Sequence, residues 1–133
     1  MKKYYLYLYL IIVLSVFGCN QLVSQDGFVN AEPEQFQSFI SKEKVQLIDV
    51  RTPEEFNEGH LNHALNIDYY SDSFSSEISK LDNQKPVYIY CHSGKRSTNS
   101  VAIFKKAGFT KIYNLDGGIQ GWKSLNLPLA SKE

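Results

Sequence analysis

Pro86-Val87-Tyr88-Ile89-Tyr90-Cys91-His92-Ser93-Gly94-Lys95-Arg96-Ser97 is the stretch on which the fold turns. Its first five residues are apolar or aromatic with branched members, the character of a buried strand. Beyond it, Val101 and Phe104 recur at helical spacing in the segment from Ser97 to Ala107. Lys105 and Lys106 offset the helix dipole at that end, and Gly108 suits the left-handed position that follows. The stretch therefore predicts a strand, a short polar loop and a helix, in that order.

Working outward, Val45 to Val50 and Lys111 to Leu115 repeat the apolar, branched character and predict two more buried strands. Thr52-Pro53-Glu54-Glu55 has capping-box spacing, with Pro53 suited to the first helical position, so a helix of barely two turns should end before Gly59. Phe74, Ile78 and Leu81 recur at helical spacing. Upstream, Asn30 is placed to cap a helix with Pro33 in its first turn and Phe36, Phe39 and Ile40 along one stripe. Strands and helices alternate without adjacent hairpins, which predicts an α/β class, a three-layer sandwich around a mainly parallel sheet. Ligands in such sheets bind beyond the C-terminal strand ends, here Asp49 to Thr52 and Cys91 to Ser97.

Composition bounds the function. The chain has 133 residues with 14 basic and 14 acidic side chains, enough for one modest domain and without the net field that draws nucleic acid. Two cysteines make no disulfide scaffold, and with three scattered histidines no metal-ligand spacing exists. No internal repeat or low-complexity stretch is present.

The N-terminus reads as an address. Lys2 and Lys3 precede an uncharged run from Tyr4 to Phe17, the profile of a signal peptide over residues 1–18. A transmembrane anchor is the competing reading, but the run falls short of the ~20 residues a spanning helix needs. Val16-Phe17-Gly18-Cys19 resembles the lipobox of bacterial lipoproteins, with Phe17 departing from the small residue usual there. Residues 19–27 then form a tether lipidated at Cys19, and the folded domain spans 28–133. The expected location is the bacterial cell envelope, with the domain held at a membrane outside the cytoplasm.

Cys91 is where chemistry is expected. In a loop between a strand and a helix start, successive backbone N–H groups turn inward to form an anion-binding nest. Helix N-termini and nearby Lys or Arg lower thiol pKa values from about 8.5 into the range of about 3.5 to 7.5, which favours a nucleophile. Gly94 permits a backbone conformation closed to other residues. The competing reading is a small buried hydrophobe at a strand end.

Three separated motifs resemble the rhodanese-like domain family of sulfurtransferases. Asp49-Val50-Arg51-Thr52-Pro53-Glu54-Glu55-Phe56 with Gly59-His60-Leu61 and Ala64-Leu65-Asn66-Ile67 is similar to its N-terminal signature. Cys91 to Ser97 is similar to its active-site loop, and Leu115-Asp116-Gly117-Gly118-Ile119 with Gly121-Trp122 to its closing motif. Asn62-His63-Ala64 stands where the family usually has a proline and glycine. The resemblance implies about five parallel strands and a ping-pong transfer of sulfane sulfur from a thiosulfate-like donor to a thiol, protein or cyanide acceptor, through a Cys91 persulfide. It implies no metal or organic cofactor. His92, Ser93, Gly94, Lys95, Arg96 and Ser97 would form the substrate-binding set. Lys95 is the candidate guide for the donor's sulfonate, and Arg96 either assists it or turns back to brace loop carbonyls or a carboxylate. His92 is read as exposed, His60 as fixing a turn, and Asp49 with Arg51 as a supporting pair.

Phosphatase relatives of this fold have one residue more in the loop; four residues separate Cys91 from Arg96 here. That spacing disfavours a phosphatase or arsenate reductase. The other alternative is a membrane-tethered module for sulfur or redox relay with one partner, or for binding without turnover.

Overall fold

The computed structural model describes residues 26–42 and 44–130. The expected signal segment 1–18, Cys19 and the tether up to Gln25 lie outside the described residues. Five strands, β1 (Phe28–Ala31), β2 (Gln46–Asp49), β3 (Leu65–Asn66), β4 (Val87–Tyr90) and β5 (Ile112–Leu115), form one sheet in the order β1-β5-β4-β2-β3. Every neighbouring pair is parallel. Between them run α1 (Pro33–Ile40), α2 (Pro53–Glu58), α3 (Phe74–Ile78) and α4 (Lys95–Lys106), and α5 (Gly118–Ser124) follows β5. The expected α/β sandwich with about five strands is what the chain forms.

The strand period of two divides the core into two layers. On one face Val87, Ile89 and Cys91 join Ile48, Ile78, Val101, Phe104 and Phe109 in the cluster under α3 and α4. On the other, Tyr90, Leu47, Leu115 and Val29 meet Phe36, Ile119 and Trp122 beneath α1 and α5. Because helices cover both faces, the central strands carry apolar side chains on each side and read as continuous hydrophobic runs. Burying Trp122 or Phe104 alone stabilises the fold by about 2 to 3 kcal/mol.

Three details depart from the sequence expectation. Asn30 lies within β1, and Glu32 occupies the N-cap of α1 without a side-chain capping bond. A parallel edge strand of four residues carries too weak a period to compete with a nearby Pro33 helix signal. The helix after β4 starts at Lys95 rather than Ser97, so Lys95 and Arg96 sit in its first turn. The segment after Gly117 is a helix rather than only a turn, with Trp122 Nε1 donating to the Pro128 carbonyl at 3.0 Å.

Contacts to the sheet and α4 extend upstream of β1. Ile112 N–H donates to the Gly27 carbonyl at 2.8 Å, and Asp26 pairs with Lys105. The two-residue β3 is tied to β2 by more than its ladder, since Asn66 Nδ2 donates to the carbonyls of Asp49 at 3.0 Å and Arg51 at 2.8 Å. The ladder between β2 and β4 sets Asp49 opposite Tyr90, so the two strands end together where the Cys91 loop emerges.

Candidate active site

Cys91 immediately follows β4, and only four residues later α4 is already under way. The turn is made by Gly94, which occupies the N-cap of α4 at φ 99°, a left-handed conformation that a side chain would strain. Its N–H donates to Cys91 Sγ at 3.0 Å. Ser97 Oγ lies 3.5 Å from the same sulfur and 3.2 Å from the Gly94 carbonyl, so its one proton serves either acceptor but not both. Cys91 itself is 1% exposed, a sulfur at the floor of a loop rather than on a ridge.

The loop is held from behind by α5. Ile119 and Gln120 N–H groups donate to the carbonyls of Cys91 at 2.9 Å and His92 at 3.0 Å. With those carbonyls bound on the α5 side, the Gly94 N–H faces the sulfur from within the loop. Gly118, at φ 61°, permits the approach: a Cβ there would stand 2.5 Å from the His92 oxygen and 2.6 Å from the Cys91 oxygen. The Gly117-Gly118 pair of the closing motif thus serves close packing against the Cys91 loop.

Beside the loop, Arg96 makes a two-bond pair with Glu55, Nη1 to Oε2 and Nη2 to Oε1, each 2.7 Å. Glu55 also completes the capping box of α2, its Oε2 accepting the Thr52 N–H at 3.0 Å while Thr52 Oγ1 accepts the Glu55 N–H at 3.3 Å. The Arg96 hydrogen bonds, aided by Thr52, hold the Glu55 carboxyl down at about 2. Arg96 is raised in turn by its hydrogen bonds and charge pairing with Glu55. Tyr70, 67% exposed, lies with its ring centroid 5.6 Å from the Arg96 guanidinium carbon. Of the two roles expected for Arg96, the side chain takes the turn back onto a carboxylate; that the carboxylate is Glu55 depends on α2 and α4 starting at the same sheet edge.

Asp49 and Arg51 are buried and paired, Arg51 Nη2 to Asp49 Oδ2 at 2.6 Å, with Nη2 also donating to the Gly59 carbonyl at 2.7 Å. Burial works against the Arg51 charge, yet the hydrogen bonds and charge of Asp49 raise its pKa. Tyr90 seals this pair. Burial pushes its phenol upward, and its oxygen accepts the Leu61 N–H at 3.1 Å. His60 lies on Phe56, ring centroids 3.8 Å apart, with Nδ1 3.0 Å from the Phe56 carbonyl. His92, Ser93 and Lys95 are exposed. Among the described residues no cluster of metal-ligating side chains occurs. A separate cavity lined by Ile40, Lys44, Leu61, Trp122 and Leu129 contains none of the loop residues.

Comparison with known proteins follows the same lines. Residues 32–125 match the Rhodanese-like domain family, and the chain belongs to it. It is 32% identical over 100 residues to the thiosulfate sulfurtransferase GlpE of Pseudomonas aeruginosa, covering 75% of this chain and 88% of that protein. An uncharacterised protein, YqhL of Bacillus subtilis, is 42% identical over 79 residues, covering 59% of this chain and 61% of that one. Among solved structures, the rhodanese-like domain protein of Staphylococcus aureus superimposes with a TM-score of 0.65 at 26% identity, covering 77% of this chain and 99% of that one. A rhodanese-related protein from Thermoplasma volcanium superimposes with a TM-score of 0.68 at 23% identity, covering 78% and 99%. The family and its thiosulfate sulfurtransferase members support a sulfurtransferase-family role for this chain.

Proposed function

We propose that the protein transfers sulfane sulfur through a persulfide on Cys91. The observation that carries this reading is the Gly94 N–H directed at Sγ within a loop only four residues long between Cys91 and Arg96. The Cys91 thiolate attacks the outer sulfur of thiosulfate. A new S–S bond forms, the old one breaks, and its electron pair leaves on sulfite. The persulfide then carries a terminal anionic sulfur, stabilised by backbone N–H groups already in place. An acceptor thiolate or cyanide takes that outer sulfur, and the electron pair of the breaking bond returns to Cys91. A deeply set sulfur favours donors that present a single terminal atom over bulky electrophiles. Lys95, exposed beside the loop, supplies positive charge for the donor's anionic end.

A membrane-tethered relay that passes sulfur to one protein acceptor uses the same first step and differs only in the acceptor. Anchoring through Cys19 at the cell envelope belongs to this proposal and rests on the N-terminal sequence.

Intact-mass measurement of the purified protein after thiosulfate treatment tests the reading, with Cys91→Ser alongside. Gain of one sulfur on the wild type alone, discharged as thiocyanate by cyanide, is the expected result. An unmodified wild type with its fold intact by circular dichroism would overturn it, and faster turnover of an activated phosphate ester than of thiosulfate would favour the phosphatase reading.

A further inference from the structure

We propose that Glu55 is a positioning residue that sets which donors the Cys91 loop accepts, by holding Arg96 in a two-bond ion pair and so withdrawing that cation from the mouth of the site. The inference rests on the persulfide reading for its substrate, although its central measurement does not require sulfur transfer.

The geometry is specific. A loop arginine one turn from a nucleophile is well suited to grip an oxyanion, because its planar fork matches two oxygens at once. In this chain the fork is already closed on the two Glu55 oxygens, at 2.7 Å each. Glu55 cannot follow Arg96 toward the sulfur, since its Oε2 also accepts the Thr52 N–H and anchors the carboxylate to the N-terminus of α2. Tyr70 flanks the guanidinium as well. Arg96 nonetheless stays in the first turn of α4, the helix that opens directly from the Cys91 loop, so a change in its partner changes the cation available at the mouth.

Lys95 is then the one side-chain cation of the Cys91–Ser97 loop with no partner among the described residues, a mobile point charge rather than a fork. A mouth built this way recognises the donor's sulfur more than its oxyanion. Donors whose leaving group is a singly charged thiolate rather than the sulfite dianion, such as alkyl persulfides, therefore compete effectively with thiosulfate.

The test is protection of Cys91 from iodoacetamide by inorganic sulfate, read by peptide mass in the full chain, for wild type, Glu55→Gln and the double variant Glu55→Gln/Arg96→Gln. Sulfate stands in for the sulfonate end of thiosulfate. The expected pattern is weak protection in the wild type, about tenfold tighter protection in Glu55→Gln where Arg96 is released, and a return to the wild-type constant in the double variant. Where persulfide forms, the rate of loading from thiosulfate relative to an alkyl persulfide rises in Glu55→Gln.

Equal protection in wild type and Glu55→Gln overturns the proposal. If Glu55→Gln fails to fold, the double variant, in which a neutral amide pair replaces the ion pair, decides alone: loss of sulfate protection there would show that Arg96 already serves the anion in the wild type. A purely structural role for Glu55 changes melting temperature and alkylation rate without changing the sulfate constant. The expected sulfate pattern with no persulfide on any variant would remove the sulfur-transfer reading and leave the role of Glu55. Persulfide formation with a flat sulfate pattern would do the reverse.

Discussion

At Glu55 one carboxylate caps α2, receives the Thr52 N–H and pairs with Arg96, and these partners lower its pKa from 4.5 to about 2. Folding lowers this pKa, so the stabilisation is complete above the unfolded value and is lost as pH falls through about 2. Glu55 is 30% exposed, and solvent screening leaves the contribution on the order of 1 to 2 kcal/mol. Urea unfolding at pH 7 should therefore find Glu55→Gln less stable than wild type by that amount, with the gap closing between pH 5 and pH 2. A gap independent of pH would place the loss in the capping geometry instead. Asp49 and Arg51 follow another logic: both are buried, and removing either would leave an uncompensated charge inside the fold. The pair was legible in the sequence two residues apart; the Tyr90 ring that lies against Arg51 was not, because Tyr90 comes from a strand brought alongside only by folding.

The elements show how far local signals reach. The capping box of α2 forms as its four residues dictate, and Gly108 takes φ 96° after α4. β2, β4 and β5 fall where the apolar runs place them. β1 and β3 were hidden, being short edge strands whose pairing depends on neighbours more than on their own pattern. His63 is a further case. It adopts φ 64° in the turn where the Ala64 N–H donates to the Leu61 carbonyl at 3.1 Å. This is the position at which the family usually has glycine, and a left-handed conformation costs an L-residue about 1 kcal/mol. His63→Gly should accordingly raise the melting temperature by a few degrees, less the added freedom of glycine in the unfolded chain. A lower melting temperature would mean that the histidine ring contributes more than its backbone costs.

On the scale of the whole molecule, one parallel sheet with helices on both faces gathers the starts of α2, α4 and α5 at the edge where β2, β4 and β5 end. That convergence makes the site. The N-terminal segment carries its own prediction: radiolabelled palmitate should enter the wild type and not Cys19→Ala. Equal labelling of the two would remove the lipid anchor while leaving the chemistry at Cys91 untouched. By itself the sequence determined the alternation of strand and helix, the length of the loop that Cys91 opens and the cap at Thr52, because each is encoded within a few consecutive residues. Only the tertiary structure decided that Glu55 closes on Arg96, that Gly118 admits α5 against the Cys91 and His92 carbonyls and that Tyr90 lies against Arg51. Those contacts join residues far apart in the chain, and no local pattern of polarity or spacing specifies which distant partner will arrive.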